Sequence, residues 1–169
     1  MQIRPATAAD ANAIWAIWSE VIASGDAYAY DEQTSRDNAL AFWLTSSMSC
    51  WVAEHGGTVV GTYYLRPNQP GRGDHVANAG YMVARTGQGK GIGRALGEHS
   101  LVEARRLGFR AMQFNFVVAS NTPAVRLWER LGFRVVGRIP GAFRHATLGE
   151  VDALVMHRSL EDSTADRPD

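Results

Sequence analysis

The chain has 169 residues, of which 46% are hydrophobic and 20% are charged, and its 17 Lys and Arg residues balance its 17 Asp and Glu residues. This length predicts one domain with a sizeable core, and the balanced charge gives no reason to expect nucleic-acid or membrane partners. No apolar run approaches the ~20 residues of a membrane span, no signal-peptide pattern follows Met1, and Cys50 is the single cysteine. We therefore expect a cytoplasmic protein without an intrachain disulfide.

The first half of the chain carries patterns typical of one strand, two helices and a hairpin. Apolar residues at helical spacing follow polar residues that are good N-caps, and a His-Gly-Gly turn separates two strand-like runs. The predicted elements are a strand at 2–5, a helix from Thr7 or Asp10 to about Val21, a helix that begins after Thr34 or Ser35, and strands at 50–54 and 58–65.

The second half alternates strands with helices. In chain order it predicts a strand at 75–83, a helix at about 91–107, a strand at 111–118, a helix from Asn121 to Gly132, and strands at 133–139 and 151–157. The complete order is βαα, then βββ, then αβαββ, which predicts an α/β domain with a mixed sheet. From Glu161 onward the sequence is a polar tail.

A glycine-rich turn, QGKGIG at residues 88–93, stands between the predicted strand and the following helix. Glycine allows positive φ and a close approach of the backbone, and the first amides of a helix have no intrahelical partner. Together with the helix dipole, these amides favour an anion such as a phosphate group. The run is neither a Walker A loop nor a GxGxxG dinucleotide motif. The remaining alternative is a turn that only starts a helix.

Two ordered motifs resemble those of the GNAT (Gcn5-related) N-acetyltransferases. Residues 88–93 match the acyl-CoA motif Q/R-x-x-G-x-G/A, and residues 121–133 match NxxAxxLYxxxGF except that Trp128 replaces the tyrosine. The resemblance implies an α/β GNAT fold, with a mixed, mostly antiparallel sheet of six or seven strands flanked by about four helices. It also implies one acetyltransferase domain at 1–160 with a tail at 161–169, and acetyl-CoA as co-substrate without a metal.

The resemblance further implies which residues bind acetyl-CoA. The amides of residues 88–93 would bind the pyrophosphate, and the amide near Met82 or Val83 would contact the acetyl carbonyl. Arginine and lysine side chains, including Arg85, would surround the nucleotide. The predicted cofactor-binding residues are Val83, Gln88, Gly89, Lys90, Gly91, Ile92, Gly93, Arg94, Asn121 and Arg126.

Trp128 changes the expected chemistry, because the family's tyrosine often protonates the departing thiolate and an indole N–H does not titrate near neutral pH. We expect Asn121 to stabilise the thiolate by hydrogen bonding, and its alternative role is a plain helix cap. The predicted catalytic residues are therefore Asn121, Met82 and Val83.

A closer resemblance, carried by NAGYMV, FNFVVASN and RLWERLGFRVVGRIPG, is to the yeast azetidine-2-carboxylate (proline-analogue) N-acetyltransferases. It implies an acceptor that is a small cyclic amine bearing a carboxylate. Asn78, Asn115 and Tyr28 are the predicted acceptor-binding residues, and no dedicated arginine for the carboxylate is evident. Tyr28, Tyr30 and Trp51 suggest an enclosed apolar pocket. The general base is left open among Glu54, His75, Asp26, Glu32 and water.

Three functions are compatible with these motifs. The first is N-acetylation of a small-molecule amine, such as a cyclic imino acid or amino acid. The second is acetylation of a protein or peptide, and the third is an acyl-CoA-binding sensor without turnover. A homodimer, with strand 151–157 taking part, is expected by analogy with relatives.

Overall fold

A computed structural model of the chain describes residues 1–45 and 49–161. It contains seven strands and four α-helices in these residues. The strands are β1 (Gln2–Pro5), β2 (Ser49–His55), β3 (Thr58–Pro67), β4 (Val76–Val83), β5 (Ala111–Val118), β6 (Arg134–His145) and β7 (Gly149–Ser159). The helices are α1 (Ala11–Ala23), α2 (Arg36–Trp43), α3 (Ile92–Arg106) and α4 (Thr122–Arg130).

The helices begin where the sequence places capping residues. Ser35 accepts a hydrogen bond from the Asn38 amide at the start of α2, and Asn121 accepts one from the Ala124 amide at the start of α4. Before α1, the Asp10 carboxylate accepts hydrogen bonds from the Thr7 amide at 2.8 Å and from both terminal nitrogens of Arg4. These local contacts explain why the predicted helix starts are confirmed to within a residue or two.

All seven strands form one sheet in the order β1-β2-β3-β4-β5-β7-β6. Every neighbouring pair is antiparallel except β4 and β5, which are parallel. The predicted GNAT fold and element order are therefore confirmed. β7 lies between β5 and β6, so its backbone is paired on both sides. The free edge at this end of the sheet belongs to β6 rather than to the strand that we associated with a dimer.

β4 and β5 diverge soon after they meet. They pair only at Val76 with Ala111 and at Ala77 with Met112. Beyond this point the Asn78 side chain spans the widening gap, because its Nδ2 donates to the Gln113 carbonyl at 3.0 Å. A bulge in β5 between Phe114 and Val117 adds to the divergence. The sheet thus opens into a cleft at its centre.

Two hydrophobic clusters cover the two faces of the sheet. One packs α3 and α4 against the sheet and includes Leu96, Phe114 and Trp128. The other packs α1 and α2 and includes Trp43, Tyr64 and Met82. Each wall of the cleft therefore stands on a buried core.

The strand boundaries differ most from prediction at the end of the chain. β6 and β7 extend to His145 and from Gly149, well beyond the predicted 133–139 and 151–157, because they pair with each other along a long hairpin. β3 also extends to Pro67. The predicted tail lies outside the described residues after Glu161. Within the described ranges no helix is long and apolar enough to cross a membrane.

Candidate active site

The diverging strands enclose a cleft of about 1010 Å³. Its walls are the free edges of β4 and β5, and its two ends are the glycine-rich turn before α3 and the aromatic loop between α1 and α2. A cleft of this size is at the upper end of the range for ligand sites. One continuous space therefore joins the predicted phosphate cradle to the predicted acceptor pocket.

The glycine-rich turn has the backbone that an anion cradle requires. Gly89 and Gly91 have φ of +72° and +77°, and a Cβ built at either position meets no atom within 4 Å. The first intrahelical bond of α3 runs from the Ala95 amide to the Gly91 carbonyl. The amides of the first turn therefore precede the helical bonding pattern, and open space lies in front of the two glycines.

Two of the predicted cradle amides have other partners. The Gln88 amide donates to the Arg85 carbonyl at 3.2 Å, and the Lys90 amide donates to the Gly87 carbonyl at 3.4 Å. The amides best placed for an anion are consequently those of Gly89 and of residues 91–94, rather than the whole run 88–93.

The cationic side chains around the cradle are only partly those expected from sequence. Arg85, Arg94 and Arg130 line the cleft, whereas Lys90 and Arg126 are not among the residues that line it. Arg94 forms an ion pair of 2.8 Å with Glu98. Lys90 and Arg126 were expected because they flank the motifs, and Arg130 was missed because it stands at the end of α4, one turn after Arg126.

Backbone direction separates the two amides that were predicted to contact the acetyl group. The Ala84 amide donates to the Val60 carbonyl of β3, at 2.9 Å. Because backbone groups alternate in direction along a strand, the Met82 amide also faces β3 and the Val83 amide faces the cleft. The structure thus favours Val83 over Met82, whose side chain is itself buried under α1 and α2.

The Tyr81 backbone also faces the cleft. Its amide lies 2.7 Å from the hydroxyl of Tyr28, and the same hydroxyl lies 2.7 Å from the Tyr81 carbonyl oxygen. Tyr28 therefore satisfies both backbone groups at this point of the open edge. Burial raises the pKa of Tyr28 well above its ordinary value, so the hydroxyl stays protonated and remains a donor.

Asn121 and Trp128 both line the cleft on the α4 side. Asn121 Oδ1 accepts from the Ala124 amide at 3.2 Å, so the capping role is present. Among the described residues its Nδ2 has no hydrogen-bond partner, which leaves a donor beside the cleft. The Trp128 ring packs 4.7 Å from Tyr81 and from Phe114, which makes it part of the core as well as of the wall.

The acceptor end of the cleft is aromatic. The Tyr28 and Tyr30 rings stack at 5.5 Å, and Phe42 contacts both Tyr30 and Tyr64 edge-on. Burial also raises the pKa of Tyr30 above its ordinary range. Trp51 does not belong to this pocket: it stacks on Tyr63 in the cluster beneath α3, on the other face of the sheet. The enclosed pocket is thus built without the predicted tryptophan.

Arg66 is a cationic side chain of this aromatic pocket that was not expected from the sequence. Its guanidinium carbon lies 5.3 Å from the Phe42 ring centre and 5.6 Å from that of Tyr64. Its Nε donates to Asn78 Oδ1 at 3.4 Å. The signal that would have found it is strand alternation, since Arg66 follows Tyr64 on the same face of β3.

The two predicted acceptor asparagines are already engaged. Asn78 is buried and bridges Arg66 to the Gln113 carbonyl. Asn115 donates to Asn68 Oδ1 at 2.7 Å and accepts from the Gln113 side chain at 2.9 Å. Both line the cleft, so the structure brings them together as expected, but their amides position neighbouring groups.

The candidate bases are widely separated. Glu54 pairs with Arg4 on the outer strands, and Glu54, His75 and Glu32 are not among the residues that line the cleft. Asp26 does line it and accepts a hydrogen bond of 2.6 Å from Ser24. Glu20, which was not predicted, also lines the cleft and accepts from the Arg85 amide at 3.0 Å. No cluster of three or more metal-ligating side chains occurs within residues 1–45 and 49–161.

A sheet that opens between β4 and β5, with a glycine-rich helix start at one end of the opening, defines the class of acyl-CoA-dependent N-acetyltransferases. The chain belongs to the GNAT acetyltransferase family, whose model matches residues 12–133.

Two curated relatives match over different lengths. N-acetyltransferase aca1 of Schizosaccharomyces pombe is 42% identical over 110 residues, which are 63% of this chain and 53% of that protein. The chain thus spans about half the length of aca1. An L-methionine sulfoximine/L-methionine sulfone acetyltransferase of Salmonella typhimurium is 30% identical over 144 residues, 83% of this chain and 84% of that protein. The expected similarity to yeast N-acetyltransferases is confirmed.

Solved structures share the complete fold. A GCN5-related N-acetyltransferase from Kribbella flavida superposes with a TM-score of 0.90 at 46% identity, over 94% of this chain and 96% of that one. The putative acetyltransferase yncA from Salmonella typhimurium, solved with acetyl-CoA, gives a TM-score of 0.85 at 28% identity, over 99% and 98% of the two chains.

Proposed function

We propose that this protein acetylates the amine of a small acceptor that bears a carboxylate, an amino acid or a cyclic imino acid, with acetyl-CoA as the donor. The observation that carries this proposal is Arg66, a guanidinium held within an aromatic pocket at the acceptor end of the cleft. Neither a protein N-acetyltransferase nor a silent acyl-CoA sensor requires a cation there.

On the donor side, the glycine-rich turn before α3 fits the pyrophosphate of a coenzyme A ester. The open amides of Gly89 and of the first turn of α3, the helix dipole, and the nearby Arg85 and Arg94 all favour negative charge. When bound, acetyl-CoA supplies an activated thioester. The Val83 amide lies on the open strand edge between the cradle and the acceptor pocket, where it can donate to a carbonyl oxygen of the pantetheine arm.

On the acceptor side, Arg66 offers hydrogen-bond donors for a carboxylate. Its Nε donates to Asn78, and its two terminal nitrogens have no hydrogen-bond partner within residues 1–45 and 49–161, so they are available as donors. The rings of Phe42 and Tyr64 hold the guanidinium in place by cation–π contact. Tyr30 supplies an apolar wall for the rest of a small acceptor.

The methionine sulfoximine acetyltransferase supports the same class of acceptor, because its name specifies amino acid derivatives. An amino acid amine is protonated at neutral pH and must lose a proton before it attacks the thioester carbon. We propose that Asp26, a carboxylate that lines the cleft, takes up this proton either directly or through water. Asn121 Nδ2 then donates to the thiolate as it leaves, in place of the tyrosine that Trp128 replaces.

The test is release of free thiol from acetyl-CoA with a panel of acceptors. Each amino acid and imino acid, including proline and azetidine-2-carboxylate, is paired with its carboxamide, and peptides form a third group. We expect turnover with free carboxylates and weak turnover with the carboxamides. Preference for peptides would favour a protein acetyltransferase, and acetyl-CoA binding without thiol release from any acceptor would favour the sensor. Either result would refute the proposal.

A further inference from the structure

The hydroxyl of Tyr28 lies between the amide and the carbonyl of Tyr81, 2.7 Å from each. Tyr81 pairs with Tyr63 of β3 on one side, but it is at the point of β4 where β5 has already diverged, so its amide and carbonyl have no β5 partner on the cleft side. A side chain from the loop between α1 and α2 thus takes the position of the missing strand.

This position is close to where the thioester must lie. Val83, the next β4 residue whose amide faces the cleft, is two residues nearer to the glycine-rich turn, a distance of roughly 6.6 Å along a strand. An extended chain that runs from the cradle along the free edge of β4 passes the amide of Val83 and then that of Tyr81.

We propose that the Tyr28 hydroxyl occupies the reaction site in the free protein. It hydrogen-bonds to the Tyr81 amide and carbonyl, and when acetyl-CoA binds it releases the Tyr81 amide to the thioester carbonyl. The inference depends on the proposed function, since it uses the same donor site. It assigns to Tyr28 a positioning role that differs from acceptor contact.

Displacement of the Tyr28 hydroxyl exposes two backbone groups of Tyr81, its amide and its carbonyl. The Tyr81 amide becomes a donor for the thioester carbonyl, and the Tyr81 carbonyl becomes an acceptor for an N–H of the incoming amine. Both belong to one residue, so they hold the two reactants side by side. While Tyr28 remains in place, the acceptor amine has no backbone partner there, which makes acetyl-CoA the first substrate to bind.

The loop that carries Tyr28 is tied down at its base. The Ala146 amide, at the tip of the β6–β7 hairpin, donates to the Gly25 carbonyl at 2.9 Å. A Cβ at Gly25 would come within 2.7 Å of the Ala146 Cβ, so the contact is close. The hydroxyl therefore leaves by rotation of the Tyr28 side chain, and not by displacement of the whole loop.

The first experiment follows the Tyr81 amide by NMR hydrogen exchange in wild type, Tyr28→Phe and Tyr30→Phe. The Tyr30 variant is the matched control, because it removes a hydroxyl from the stacked neighbouring ring. In the free Tyr28→Phe protein we expect the protection factor of the Tyr81 amide to fall at least about tenfold, and we expect acetyl-CoA to restore it. Equal protection of Tyr81 in the free forms of all three proteins would overturn the inference.

The second experiment compares the Kd values of acetyl-CoA and CoA, which differ by the carbonyl that competes with Tyr28. Tyr28→Phe should tighten acetyl-CoA binding by about two- to tenfold, the range for one hydrogen bond, and leave CoA unchanged. Equal effects on both ligands, or none, would overturn the inference while leaving the donor site intact. Failure of wild type to bind either ligand would instead refute the proposed function.

A measurement on wild type keeps the inference testable if Tyr28→Phe does not fold. Tyrosine labelled with ¹³C at the ring carbon that bears the hydroxyl reports the hydrogen bonds of Tyr28 directly. Its signal should shift with acetyl-CoA by more than with CoA. An unshifted signal in the presence of saturating acetyl-CoA would show that Tyr28 stays on Tyr81 and would overturn the inference.

Discussion

Replacing Arg66 with glutamine removes the guanidinium that lies over the rings of Phe42 and Tyr64 and keeps a polar side chain of similar length. A hydrogen bond to a charged group contributes about 1.5–3 kcal/mol, which is roughly a 10- to 150-fold change in kcat/KM. We expect this loss for an acceptor that has a free carboxylate. For the matching carboxamide, which offers Arg66 no negative charge, kcat/KM should change by less than about threefold.

The assay measures kcat/KM for one amino acid and its amide with wild type, Arg66→Gln and Arg72→Gln. Arg72 is an exposed arginine in the loop before β4, so its variant removes the same net charge away from the cleft. The ratio of kcat/KM for the amino acid to kcat/KM for its amide should fall only in Arg66→Gln. Equal losses of kcat/KM for both acceptors would mean that Arg66 supports the pocket without binding the carboxylate. That result would refute a carboxylate-binding role for Arg66.

Three further changes test other parts of the molecule. Gly91→Asp places a carboxylate in the cradle at a φ of +77°, and it should raise the Kd of CoA at least about a hundredfold by calorimetry; binding within threefold of wild type would contradict the cradle. Asn121→Ala should lower kcat more than it raises KM if the amide stabilises the thiolate, whereas a lower Tm with unchanged kcat would leave only the cap to Ala124. Asp10→Asn should lower the free energy of unfolding by about 1–2 kcal/mol at neutral pH, because the contacts with Arg4 depress the pKa of this carboxyl. That contribution is present above the unfolded pKa of about 3.9 and is lost as the pH falls, so denaturant titrations of the variant and wild type should converge in acid.

The sequence was sufficient for features that depend on short stretches of backbone. Gly89 and Gly91 require positive φ in a turn that opens a helix, and both have it. Asn121 was expected to cap α4, and it does. These features follow from the conformational limits of a few neighbouring residues, so no knowledge of the rest of the fold is needed. The two motifs that contain them also led to the correct family.

The acceptor pocket was decided by tertiary structure. Arg66 and Asn78 meet only because β3 and β4 pair in one register, and Trp51 is excluded from the pocket because alternation points it to the other face. The contact between Tyr28 and Tyr81 joins residues 53 positions apart at a strand edge that exists only because β5 diverges. Contacts of this kind depend on strand register and on the divergence of two strands, which local sequence does not specify.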